Sequence, residues 1–273
     1  MRRLTAGPLI LAVVLCAVSS LAAAQSPAVP TAPSTAPTVP EPDGSRVSVV
    51  VSAWRPGPGL RLSGHDDTSQ GTPIDLRDDV GMPARWQPAI RADVRFAARH
   101  RVRAEYLCVS TDGRAMLTRD LRYLGRGFAA GDTVTSSMDW RIYRLGYERT
   151  VIQRARTTAG ATIDLRHSNL GFDVGSTSGR SRIPMPAVGG TIRVVVTPRL
   201  TLQAEGSGFI VPDNDAGTFG GRFVDAGAYA TWRMASTWSM RGGVRTIDIR
   251  HLGQRNEGRG RLTGLDLGAV FRF

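Results

Sequence analysis

The last ten residues of this sequence, 264–273, alternate in character from one residue to the next. One side of the alternation is apolar and consists of Leu265, Leu267, Ala269, Phe271 and Phe273. The residues between them, Asp266, Gly268, Val270 and Arg272, are polar or small apart from the valine. A period of two places successive side chains on opposite faces of a β-strand. The sequence therefore predicts a final strand with one greasy face.

Nine more segments upstream have the same strand character, which gives ten candidate strands. They span 45–54, 88–97, 100–109, 136–147, 155–166, 186–196, 200–210, 222–232, 238–249 and 262–273. Each is close to the 9 to 11 residues that a tilted transmembrane strand needs. The connections alternate between long (55–87, 110–135, 167–185, 211–221 and 250–261) and short. We therefore predict an all-β, up-and-down antiparallel transmembrane barrel of ten strands, with eight strands as the alternative.

Two short turns allow the strand register to be predicted. A turn centred on Ala98 sets Val94 opposite Val102 and Asp93 opposite Arg103. A turn centred on Pro198 sets Val194 opposite Leu202 in the same way. Both hairpins then pair apolar with apolar and polar with polar residues, as cross-strand contacts favour.

The alternation changes sign in two of the strands, and aromatic residues gather near strand ends. We predict a β-bulge near Ile142–Tyr143 and a similar slip near Thr246–Ile247, because either would restore a continuous apolar face. We also expect an interfacial aromatic girdle formed by Trp54, Trp86, Trp140, Trp232, Trp238 and Phe273.

The first 44 residues have a different composition. Residues 1–24 carry a positive start, an apolar middle and small residues at their end, which predicts a secretory signal peptide. Residues 25–44 are rich in Pro and Ala and predict an extended periplasmic linker.

All 35 basic residues of the chain are arginine, and the formal net charge is +12. For an exported chain this charge favours an anionic lipopolysaccharide surface as partner, and not nucleic acid.

The predicted inner faces of the strands carry many charges. They supply Arg91, Asp93, Arg95, Arg101, Arg103, Glu105, Asp139, Arg141, Asp164, Arg193, Glu205, Asp225, Arg241, Arg245 and Asp266. A barrel of this size has a narrow interior that side chains largely fill, and charges buried there must pair. The sequence thus predicts a salt-bridged plug, with an arginine-lined path for small anions as the alternative.

With these features the chain resembles the small outer-membrane β-barrel proteins of Gram-negative bacteria over residues 45–273. The spacing of Gly268, Phe271 and Phe273 resembles the carboxy-terminal signal that the barrel-assembly machinery reads. The resemblance implies outer-membrane insertion by that machinery. It implies no particular activity, because one barrel scaffold hosts many functions.

Three classes of enzyme are built on such barrels, and each needs its own set of catalytic residues. The omptin proteases use rim Asp and His pairs, for which His65, Asp66, Asp67, Asp248 and His251 are candidates, but the spacing does not match. The lipid A deacylases use His and Ser two residues apart, whereas His167 and Ser168 are adjacent and would face opposite ways. For an outer-membrane phospholipase, the sequence offers no suitable His and Ser nucleophile pair.

Our prediction for function is a non-enzymatic structural or ligand-binding envelope protein. The loops 55–87 and 110–135 would contact the ligand. A narrow passive pore is the first alternative and an outer-membrane hydrolase the second. Loop aspartates Asp75, Asp78 and Asp79 lack the fixed spacing of a calcium loop, so no metal and no cofactor is predicted.

Overall fold

A computed structural model describes residues 45–57, 59–64, 71–211, 219–253 and 256–273. The predicted signal peptide and linker lie outside the described residues, as do His65, Asp66 and Asp67. The described residues form strands joined by turns and loops. None of them belongs to a helix long and apolar enough to cross a membrane.

Ten long strands close into one antiparallel barrel, which confirms the predicted count. In chain order they are β1 (Val47–Pro56), β4 (Gln87–Ala97), β5 (His100–Met116), β8 (Thr133–Gln153), β9 (Thr157–Val174), β10 (Thr177–Val195), β11 (Leu200–Val211), β12 (Phe219–Arg233), β13 (Trp238–Gly253) and β14 (Asn256–Arg272). Each pairs with the next, and β14 pairs back with β1. Closure leaves the main wall without a free edge, as a membrane barrel requires.

Both ends of the described chain lie at the barrel rim that carries the short turns. The backbone N–H of Phe273 donates to the carbonyl oxygen of Val47 at 2.9 Å. The predicted hairpin registers are confirmed, with Val94 opposite Val102 and Val194 opposite Leu202. We call this rim the periplasmic end, because short turns mark the periplasmic side of such barrels.

At the other end the strands are much taller than predicted. The strand β8 has 21 residues and β10 has 19, against predicted lengths of about a dozen. The predicted loop 167–185 is wrong, because strands β9 and β10 continue through it to a two-residue turn at Gly175 and Ser176. Gly175 has a φ of 56°, which a glycine adopts without strain at the start of a tight hairpin turn.

The side chains keep one inward and outward phase along each tall strand. In β8 the even-numbered residues from Val134 to Glu148 are all buried, and the register with both neighbours is continuous there. In β13 the buried residues Arg245 and Ile247 share the inward phase. The predicted bulge near Ile142–Tyr143 and the slip near Thr246–Ile247 are therefore wrong. The polarity reverses instead, because the upper wall faces water outside and a packed apolar core inside.

The upper, extracellular half of the interior is an apolar core closed by loop elements. Strand β2 (Leu60–Gly64) extends the sheet from β14, and β3 (Ile74–Asp75) pairs with β2. Strands β6 (Leu121–Tyr123) and β7 (Arg126–Phe128) form a separate hairpin. From these loops Ile74, Leu76, Val80, Met82 and Leu121 are buried in the core.

Two of the tryptophans predicted for the girdle belong to this core. Trp54 and Trp140 are 0% and 1% exposed, so their assignment to the membrane interface was wrong. Trp86, Trp232, Trp238 and Phe273 are exposed on the surface. A band of exposed apolar residues surrounds the lower wall, including Leu145, Ile163, Leu165, Val188 and Leu265. This band is the surface that meets lipid chains.

Candidate functional site: the charged lumen

Below the apolar core, the lumen is filled by arginines and carboxylates. Asp225 on β12 accepts hydrogen bonds from Arg166 Nη1 at 2.5 Å and from Arg245 Nη2 at 2.8 Å. Arg245 Nη1 also donates to Glu105 Oε1 at 2.6 Å, and Arg144 Nη2 donates to Asp164 Oδ2 at 2.7 Å. These residues come from β5, β8, β9, β12 and β13, so this level of the network links five strands across the lumen.

The next level towards the periplasmic end is organised around Glu205. Arg91 Nη1 donates to Glu205 Oε1 at 3.0 Å, and Arg103 Nη1 donates to Glu205 Oε2 at 3.1 Å. Asp93 lies 2.8 Å from Arg103 Nε and 3.0 Å from Arg91 Nε. Buried ion pairs of this kind need such additional hydrogen bonds, because each charge has lost its hydration.

A third cluster lies nearest the short turns. Arg193 donates to both carboxylate oxygens of Glu148, at 2.6 and 2.9 Å. Arg101 Nη1 lies 3.8 Å from the same carboxylate. Arg193 thus binds the Glu148 carboxylate in the bidentate geometry for which a planar guanidinium is suited.

The structure brings most of the predicted charges together in the lumen. Thirteen of the fifteen charged residues predicted for the inner faces do face inward: Arg91, Asp93, Arg95, Arg101, Arg103, Glu105, Asp164, Arg193, Glu205, Asp225, Arg241, Arg245 and Asp266. Asp139 and Arg141 were assigned wrongly. They pair with each other at 2.9 Å on the water-facing outside of β8, with side chains 46% and 47% exposed. The reversal of polarity in β8 explains the error.

Sequence reasoning did not place Arg144, Glu148 and Arg166 in the network. All three are buried, and Arg166 is the most deeply enclosed of the lumen arginines at 1% exposure. Taking the even-numbered residues of β8 as the inward face along the whole strand would have identified Arg144 and Glu148. Arg166 is the last residue of the predicted strand 155–166 and lies in phase with Asp164, so the alternation within that strand would have identified it.

Two inward residues differ from the rest in their partners. The guanidinium of Arg241 stacks on the ring of Tyr229, with its central carbon 3.5 Å from the ring centroid. Its Nε is buried and has no hydrogen-bond partner among the described residues. Asp266 accepts a hydrogen bond from Ser52 at 3.4 Å, and its other oxygen is buried without a partner in the described part of the chain.

Two cavities flank the network. A cavity of about 180 Å³ lies at the periplasmic end and is lined by nine arginines and one carboxylate, that of Asp93. A smaller cavity of about 60 Å³ lies in the extracellular half and is mainly apolar. Leu60, Tyr123, Trp140, Phe172 and Ile183 contribute to its lining.

The extracellular aspartates Asp75 and Asp79 stabilise the loops by accepting hydrogen bonds. Asp79 accepts hydrogen bonds from Arg119 at 2.6 and 3.1 Å, and Asp75 accepts from the backbone N–H of Arg77 and Asp78. Burial raises the pKa of Asp79, but the hydrogen bonds and charge of Arg119 outweigh it, and the pKa lies below its ordinary value. Within the described residues no cluster of three or more His, Cys, Asp or Glu could hold a metal.

Of the residues considered for enzyme activity, His167, Ser168 and Asp248 have described side chains, and these three do not form a catalytic group. His167 is exposed on the outer face of β9, whereas Ser168 is buried and accepts a hydrogen bond from the indole of Trp140 at 2.7 Å. They face opposite ways, as predicted. Asp248 is held by Arg222 at 2.6 Å and by Arg261 at 3.0 Å. The side chain of His251 lies outside the described part.

Comparison with known proteins finds likeness in structure alone. No family model matches the chain, and no curated protein matches its sequence. The outer-membrane protease OmpT of Escherichia coli superposes with a TM-score of 0.58 at 8% identity, covering 83% of this chain and 96% of the protease. The fold is that of an outer-membrane β-barrel. Its closed wall and apolar outer band place the protein in the bacterial outer membrane.

Two other outer-membrane proteins superpose less well. The translocator domain of the autotransporter NalP from Neisseria meningitidis has a TM-score of 0.41 at 9% identity, with 98% of this chain and 96% of that domain covered. The attachment invasion locus protein Ail of Yersinia pestis has a TM-score of 0.32 at 10% identity, with 84% and 99% covered. Neither similarity carries an argument about function.

Proposed function

We propose that this protein is a sealed, non-enzymatic barrel that holds a rigid binding surface at the outside of the cell. The observation that carries the proposal is the contact of Arg91 with Glu205 at 3.0 Å. Strands β4 and β11 stand five places apart in a ring of ten, so this pair spans the full width of the lumen. Hydrated ions and solutes would have to break it to pass.

The apolar core supports the same proposal from above. Trp54, Trp140, Phe223 and Ile247 are each no more than 1% exposed and lie on the inward faces of their strands. A packed apolar layer over a paired charge layer offers no continuous row of polar groups to a solute. The interior is therefore suited to rigidity and not to transport.

The barrel, made rigid by its packed interior, holds the extracellular loops in a fixed arrangement. Arg119 fastens the loop before β6 to Asp79 and, through Nη2, to the carbonyl oxygen of Pro73 at 2.7 Å. The small apolar cavity beneath this surface, lined by Leu60 and Tyr123, suits a ligand that ends in a small apolar group. Lipopolysaccharide around the wall and the assembly machinery during insertion complete the proposed set of partners.

The first experiment is single-channel recording on refolded protein in planar bilayers. Heat-modifiable gel migration first verifies that the barrel is folded, and a porin of known conductance verifies that the bilayers report channels. We expect no current steps from the folded protein. Stable steps whose size follows the salt concentration would overturn the sealed barrel and favour the pore.

A hydrolase is the second candidate, and the fold likeness to the protease OmpT favours it. The test is cleavage of a peptide library and of phospholipid by the same refolded protein. We expect no turnover. Turnover that falls on Asp248→Asn but persists in Asp139→Asn, an exposed aspartate on the same outer wall, would overturn the non-enzymatic proposal.

A further inference from the structure

The cavity at the periplasmic end of the lumen is lined by many more positive than negative side chains of the described residues. Nine arginines line it against one carboxylate, Asp93, which is already in contact with Arg91 and Arg103. Some of these arginines, such as Arg193, are neutralised by carboxylates just outside the lining. Arg95, Arg101 and Arg272 likewise have interactions of their own.

Arg241 is the residue that indicates a missing partner. It is 8% exposed, lines the cavity and has no carboxylate within ion-pair distance among the described residues. Its guanidinium stacks on the face of Tyr229, and its Nε has no acceptor in the described part of the chain. A buried guanidinium without an anion is costly, because the ring face replaces little of the lost hydration.

We propose that this cavity binds a small oxyanion of the phosphate type, which Arg241 contacts from the wall of β13. The volume of about 180 Å³ exceeds what one phosphate needs and leaves room for water or for a small phosphorylated molecule. The exposed arginines Arg46, Arg154 and Arg156 stand at the mouth and would draw anions in. The charge network above closes the far side, so the cavity is a dead-end binding site and not a channel.

The oxygen geometry of a phosphate fits this proposal better than that of a halide. Guanidinium groups donate pairs of hydrogen bonds to the oxygens of phosphates and carboxylates. Neutral donors also line the cavity, including Gln203, Thr201 and Thr231. A spherical chloride would use fewer of them. Selectivity for phosphate over chloride at equal ionic strength is therefore part of the proposal.

The test is a ³¹P NMR titration of refolded full-length protein with inorganic phosphate at constant ionic strength, repeated with glycerol phosphate. Arg241→Gln removes the unpaired charge, and Arg182→Gln is the control, because Arg182 is an exposed arginine on the outer face of β10. We expect saturable binding in the wild type and the control, weakened about tenfold or more by Arg241→Gln. Tighter binding of glycerol phosphate would assign the site to phosphorylated molecules, and equal binding to free phosphate.

A second variant keeps the proposal testable if Arg241→Gln fails to fold. Thr231 lies directly opposite Arg241 in the pairing of β12 with β13 and lines the cavity. Thr231→Glu places a carboxylate where the anion would sit, so it should fold, raise the unfolding midpoint and abolish phosphate binding. Binding that does not saturate, or that both arginine variants weaken equally, would overturn the site. So would phosphate affinity unchanged in Thr231→Glu.

Discussion

Arg91 and Glu205 meet at 3.0 Å although their strands stand on opposite sides of the barrel. The pair belongs to a network in which Asp93, Glu105, Glu205 and Asp225 each contact arginines from two strands. The side chains of Arg91 and Glu205 are only 10% and 11% exposed, so water screens their interaction little. Such a network makes the lower barrel rigid. The loss of one of its side chains is therefore expected to lower the free energy of unfolding strongly.

The first prediction compares two aspartates that each contact two arginines. Asp225 lies in the lumen with Arg166 and Arg245, and Asp248 lies on the outer wall with Arg222 and Arg261. We expect Asp225→Asn to lower the free energy of unfolding by about 3–5 kcal/mol, because it leaves buried arginines unpaired. Asp248→Asn should cost about 0–1 kcal/mol. Urea unfolding in lipid vesicles measures both, and equal losses would contradict a buried network.

The second prediction locates the membrane boundary on β8. Leu145 and Thr135 are exposed on the same outer face of this strand. Leu145→Arg should lower the free energy of unfolding by about 2–4 kcal/mol in vesicles, since an arginine there faces lipid chains. Thr135→Arg should change it little, because that side chain faces water. A similar cost for both would mean that the apolar band extends up the wall.

The third prediction concerns the pH dependence of the extracellular loops. The pKa of Asp79 in the folded protein lies below the ordinary value of 3.8. The carboxylate therefore stabilises the fold above that value, and this contribution is lost as the pH falls through the folded pKa. The difference in unfolding free energy between wild type and Asp79→Asn should be constant near neutral pH and shrink below about pH 4. Denaturant unfolding across this range measures it, with the exposed Asp78→Asn as control.

The fourth prediction tests the assembly signal, formed by Gly268, Phe271 and Phe273. Phe273 is 72% exposed at the periplasmic end, so Phe273→Ser should leave the stability of the refolded barrel nearly unchanged. In cells it should slow the appearance of heat-modifiable protein. Phe96→Ser is the matched control, because Phe96 is 55% exposed near a short turn at the same end. Equal assembly of both variants would contradict a signal at Phe273.

The sequence predicted the lower barrel well, because lipid outside and charge inside impose one sign of alternation. Val94 and Val102 face lipid and Asp93 and Arg103 face the lumen, as expected. The same alternation was misread above Tyr143. There the outside is water and the inside is packed, so Arg141 points outward while Trp140 is buried. A period of two fixes which residues share a face, but not which face meets which solvent.

Gly268 illustrates a different limit. Its predicted role came from the resemblance of the final residues to an assembly signal. In the barrel, a Cβ at this position would collide with the carbonyl oxygen of Val51 on the paired strand β1. The close approach of two backbones explains the glycine in physical terms. It depends on closure between the first and last strands, which no local pattern reveals.

The lumen contacts also bear on the order of events during folding. Arg91 and Glu205 are 114 residues apart along the chain, and Glu105 and Arg245 are 140 apart. Neighbouring hairpins can pair early, but these contacts form only when distant strands have come round to face each other. Until then the same charges must stay hydrated. We therefore expect water to leave the lumen in the last step of folding. The ion pairs between distant strands form in that step, once all ten strands are in place.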